Sequence, residues 1–201
     1  MLSRAIGVCV LMIVSMTPAQ AHIVGVRLGD FYAGAAHPLT DLRDIIVWVV
    51  VGLLGGSLGV EKSRPLILLF PVGLLFGLAT TLMLARPLES GVTVSVILVS
   101  AGLALALELD VHRPLLFIGV LVAAAPRGAA NASGVGDMTN SLLFAAGMAS
   151  AGYAVVTLVM ASTVAFRASG GANGWRRIAL RAIGSWIAAI GIMMGGVSFM
   201  S

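Results

Sequence analysis

Six apolar runs occupy most of this chain: residues 45–59, 66–84, 92–109, 115–125, 141–166 and 178–200. Ionisable residues gather in the short stretches between them. A helix of about 20 apolar residues matches the roughly 30 Å hydrocarbon core of a bilayer, and it satisfies every backbone polar group internally. The runs are continuous rather than alternating, which excludes a β-barrel. Composition points the same way. Only 10% of the 201 residues are charged and 59% are apolar, whereas a soluble domain carries about 25% charged residues. A water-soluble globular enzyme is therefore excluded. The fold expected is all-α, a polytopic membrane helix bundle with about six transmembrane helices after a cleavable signal peptide. Residues 22–201 would form a single integral membrane domain.

The N-terminus reads as a targeting signal over residues 1–21. A positive start ending at Arg4 precedes an apolar stretch, residues 5–16, too short to span a bilayer. Pro18 and the small-residue motif Ala19-Gln20-Ala21 follow, the order expected of a secretory leader. Cleavage after Ala21 would leave His22 as the mature N-terminus, on the periplasmic side. Cys9, the one cysteine of the chain, leaves with the leader, so no internal disulfide or Cys-rich metal site is expected.

Loop charges give an orientation. With His22 outside and six spans following, Lys62, Arg64, Arg113, Arg167, Arg176, Arg177 and Arg181 fall inside; Arg27, Arg43, Arg86 and Arg127 fall outside. The excess inside follows the positive-inside rule, and it accounts for the net charge of +4 without invoking nucleic acid. The expected location is a bacterial inner membrane, with the lipid bilayer as principal partner. A membrane protein partner or homo-oligomer stays open. The fourth run is interrupted by Pro126-Arg127-Gly128, and is expected to be a half-helix or to continue irregularly, lining a cavity. Glycines spaced by four, Gly52/Gly56, Gly55/Gly59 and Gly73/Gly77, predict close helix packing.

The informative polar cluster is His37-Pro38-Leu39-Thr40-Asp41-Leu42-Arg43-Asp44. On a helix begun near Pro38, a residue favoured in the first turn, His37, Asp41 and Asp44 would share one stripe. One imidazole and two carboxylates there make a candidate site for a divalent cation. The plainer reading is a solvated helix start with acids at its positive dipole end, and Arg43 could pair with either Asp. The amine and imidazole of His22 form a weaker candidate chelate. His112 reads as a loop residue, and Glu89 and Ser95 flank the third run. The scattered methionines read as packing. No phosphate loop, nucleophile elbow or H-E-x-x-H stretch is present, so neither enzymatic activity nor a bound cofactor is expected.

The Ala21-His22 junction and the His37-Pro38-Leu39-Thr40 stretch make the chain resemble the HupE/UreJ family. Similar stretches are Pro87-Leu88-Glu89 through Ser95 and Arg181-Ala182-Ile183-Gly184. The resemblance implies a small bacterial inner-membrane protein of the nickel or cobalt permease type, with Ni2+ or Co2+ as transported substrate. In the family's His-Pro-x-x-Gly-x-Asp-His pattern, His37 and Pro38 match. Asp41 stands for the Gly, Arg43 for the Asp and Asp44 for the second His. Where the family has a His-rich run ending the fourth span, this chain has Pro126-Arg127-Gly128-Ala129-Ala130-Asn131. Only His37 carries over as a family ligand. Two functions therefore remain: divalent-metal permease, or a divergent relative that moves another solute or serves as a non-transporting assembly partner.

Overall fold

A computed structural model describes residues 21–84, 91–168 and 174–198, with side chains in the first helix described from Gly29 onward. Residues 1–20 of the expected leader, Cys9 among them, and Glu89 lie outside the described residues. The helices are α1 (Ala21–Ala36), α2 (Leu42–Leu58), the single turn α3 (Val60–Ser63), α4 (Leu66–Leu84), α5 (Gly91–Ala106), α6 (Arg113–Ala130), α7 (Ser141–Ala168) and α8 (Trp175–Ser198). No strand occurs among the described residues. Four helical stretches, Val60–Leu84, Arg113–Gly134, Ser141–Ala168 and Trp175–Ser198, are long and apolar enough to cross a membrane. The helices α2 and α5 are shorter, at 17 and 16 residues, or about 25 Å of rise.

The 28-residue α7 is the spine of the bundle, packing against α1, α2 and α4. Beyond it α4 pairs with α6, and α2 leads through α5 to α8. Trp48, Phe70, Leu74, Leu98, Phe144 and Met148 fill the core. Hydrocarbon supplies no hydrophobic drive between helices, so close backbone approach has to hold them. It does so at glycines. A Cβ on Gly77 would lie 1.8 Å from the Ala125 carbonyl oxygen, and one on Gly128 would lie 1.9 Å from that of Leu74. The α1–α7 joint repeats this pattern, with Gly34 against the Phe144 backbone and Gly147 against that of Phe31. Gly102 and Gly184 face each other across α5 and α8.

Three expectations are corrected. Gly52 and Gly56 pack on α7 at Val159 and Thr163, but Gly59 packs on nothing; its φ of +91° ends α2 instead. The chain after the expected cleavage point is α1, a helix that the six-run reading did not contain. It is broken at Gly29 (φ 75°, ψ 166°). The fourth run is no half-helix: α6 runs through Pro126 to Ala130, and a 3-10 turn, Asn131–Gly134, follows. Pro126 costs a backbone bond, but Gly128 and Arg127 beside it are both needed where they stand, as the site makes plain.

The polar groups divide between two ends. At one end Lys62 pairs with Asp110, Arg177 with Glu108, and Arg167 donates to the Ser57 carbonyl. These are the basic loops grouped on one side by the sequence. His112 is exposed there at the start of α6. Glu108 closes α5 with a left-handed φ of 52°. The amides of Glu108 and Leu109 bond back to the carbonyls of Leu105 and Ala104, the Schellman arrangement that usually takes glycine.

Candidate functional site

The opposite end holds the polar residues the sequence singled out, in a different arrangement from the one expected. Pro38 opens a 3-10 turn, Pro38–Thr40, rather than the α-helix. Asp41 follows in extended conformation and caps α2, accepting from the Arg43 amide at 2.9 Å. The α-helix therefore begins at Leu42, and His37, Asp41 and Asp44 do not form one helical stripe. A capping Asp satisfies one of the orphan N–H groups of the first turn, and this local gain fixes the boundary.

Asp44 lies in the first turn of α2 and is 1% exposed. Its partner is Arg127 of α6, itself 0% exposed. The Arg127 Nε donates to Asp44 Oδ1 at 2.6 Å, and Nη2 donates to Asp41 Oδ2 at 2.9 Å. Asn131, one turn further along, donates through Nδ2 to Asp44 Oδ2 at 2.8 Å and to the Arg127 carbonyl at 2.7 Å. Arg127 is thus not an outside-loop cation, and Arg127, not Arg43, is the residue that takes both carboxylates. This network explains why α6 continues past Pro126: the guanidinium has its counter-charges inside the bundle, and Gly128 admits the α4 backbone.

His37 sits at the same end. Its ring stacks obliquely on Phe144, centroids 5.8 Å apart, and lies against Gly134, where a Cβ would come within 2.9 Å of Nε2. Deeper on α2, one turn below Asp44, Trp48 is fully buried with its edge toward Phe70. Its indole N–H has no acceptor among the described residues. His22 belongs to α1, and its side chain is outside the described set. Ser95 is buried where α5 meets Gly195 of α8. Among the described residues, no three His, Cys, Asp or Glu side chains converge in a set that could hold a metal ion.

The arrangement joins residues 37–44 to residues 126–131, stretches more than 80 positions apart. Two carboxylates face one guanidinium and one amide, with Asp41 partly open to water (side chain 45% exposed) and Asp44 closed off behind it. Sequence reasoning missed Arg127 and Asn131. The signal available was an Arg just past the fourth apolar run, on the same predicted side of the membrane as the Asp just before the first.

The chain matches the family model described as HupE / UreJ protein over residues 10–194. No curated protein and no solved structure matches it.

Proposed function

The chain belongs to the HupE / UreJ family, and from that premise we propose that this multi-pass membrane protein is a permease-like carrier for a divalent transition-metal cation of the nickel or cobalt kind, captured at the Asp41/Asp44 end. The observation that carries the reading is the buried Arg127–Asp44 pair with Asp41 at its mouth. Ionisable groups inside a membrane bundle are costly and mark ion or substrate paths, and a buried ion pair is weak evidence for stability on its own. In this reading a hydrated cation first meets the partly exposed Asp41 and then draws Asp44 from the guanidinium. Arg127 is the resident counter-cation that keeps the empty site balanced. His37, at the same end, supplies an imidazole suited to nickel or cobalt, and His22 is a weaker additional donor. The work is transport rather than catalysis.

Accumulation of radiolabelled nickel, cobalt and manganese in cells with and without the protein tests the reading. Expression should raise uptake of at least one ion, and Asp41→Asn should lower apparent affinity about tenfold, the equivalent of one charged ligand contact. Arg127→Gln should tighten metal binding by the purified protein, because it removes the competing cation. Unchanged uptake with Asp41→Asn and His37→Ala would reject the capture site. A second reading is favoured by one observation: Arg127 already engages both carboxylates. In that case the protein moves another solute or serves as a membrane assembly partner. Recovery of a stoichiometric partner without metal uptake would support it.

A further inference from the structure

We propose that the basic end of the bundle is a binding site for one anionic phospholipid, with its phosphate among Arg167, Arg177 and Arg181 and an acyl chain in the apolar groove between α2, α5 and α6. A cavity of about 280 Å³ lies where the ends of α2, α5, α7 and α8 meet, and it is lined by these three arginines with Glu108 and Asp110. The acids are already engaged. Asp110 pairs with Lys62, and Glu108 takes Arg177 at 2.5 and 2.6 Å. Arg167 and Arg181 bond neutral carbonyls instead, those of Ser57 and Ala106. Two positive charges in one cavity are therefore without an acidic partner in these bonds. Each holds a helix-end carbonyl with one nitrogen and keeps the rest of its fork, the geometry that suits a phosphate.

A second observation selects a lipid over a free anion. An apolar groove of about 370 Å³ runs between α2, α5 and α6, and Leu109 lines both it and the arginine cavity. Along α6 its wall extends from Leu115 to Ala123, about 12 Å of helix. Head and chain of one molecule are what fit a charged cavity opening beside a hydrocarbon groove, and basic pockets between membrane helices are suited to such headgroups. Gly119 lies on the groove wall, and a Cβ there would meet nothing within 4 Å. That gives a way to fill the groove without disturbing the helix or the charges.

The test is native mass spectrometry and thermal unfolding of the full chain in mild detergent, with added phosphatidylglycerol, phosphatidylcholine of the same chains, or inorganic phosphate. One phosphatidylglycerol should be retained and should raise the melting temperature; phosphatidylcholine should not. The Arg167→Gln/Arg181→Gln variant should weaken phosphatidylglycerol retention about tenfold or more, as expected for lost charge-assisted contacts. Gly119→Leu should weaken it too, while leaving any effect of phosphate unchanged. The second variant keeps every charge, so it reads the site even if the arginine variant folds poorly. Equal retention of the two lipids, wild-type retention in Gly119→Leu, or phosphate acting at the same concentration as the lipid would overturn the proposal.

Discussion

At the scale of single residues, Arg127 is tightly constrained, with no surface open to solvent or lipid. A guanidinium with no exposed surface keeps its charge only if acceptors surround it, and Asp44 and Asp41 are those acceptors, with Asn131 donating to the far oxygen of Asp44. Removing one member is therefore worse than removing the pair. Asp44→Ala should destabilise the protein by about 3–5 kcal/mol, because it strands a buried cation, whereas Arg127→Leu/Asp44→Leu should recover much of that loss. Asp41→Asn should cost under about 1 kcal/mol, since Asp41 is partly solvated. Unfolding of Arg127→Leu, Asp44→Leu and the double variant in detergent measures the coupling. Additive single effects would show that the pair acts as two independent groups.

At the scale of elements, the helices are held by backbone contact at glycine rather than by amphipathic faces. The α4–α6 seam has no room for a methyl group at Gly77 or Gly128, where the obstacle is a carbonyl oxygen on the facing helix. Gly77→Ala and Gly128→Ala should each cost about 1–3 kcal/mol, the usual range for overpacking. Gly119→Ala, on the same α6 but facing open space, should be neutral or stabilising. Resistance to denaturing detergent, compared across the three, separates a packing seam from a general intolerance of alanine in these helices.

At the scale of the whole molecule, the bundle has one basic end stitched by ion pairs and one end built on the Arg127 network. The Glu108 carboxyl is held below its ordinary range mainly by Arg177, and that of Asp110 by Lys62. A carboxyl depressed in the folded state stabilises above its unfolded value, near 4, and that stabilisation is lost as pH falls through the lower folded value. Melting temperature should therefore be flat from neutral pH to about 5 and decline only in stronger acid. Arg177→Gln should shrink that acid decline and leave the neutral plateau in place. A decline beginning between pH 6 and 7 would point to a histidine instead.

The sequence by itself determined that the chain is an all-helical membrane bundle, because continuous apolar runs leave no other way to satisfy a backbone in lipid. Among the described residues all six runs lie on helices to within a few residues, and the grouping of Lys62, Arg167, Arg177 and Arg181 at one end was legible from loop charge alone. Helix α1 was not, since residues 21–36 mix small, polar and apolar residues, and their helix depends on the glycine joint with α7. The site was legible only in part. Asp41 and Asp44 stood out, but their partners lie more than 80 residues away in a stretch that reads locally as a break, Pro126-Arg127-Gly128. Only the tertiary structure decided that this stretch stays helical. A proline's lost bond is a local cost, whereas the counter-charges for Arg127 and the facing backbone for Gly128 come from other helices, and no local reading can weigh one against the other.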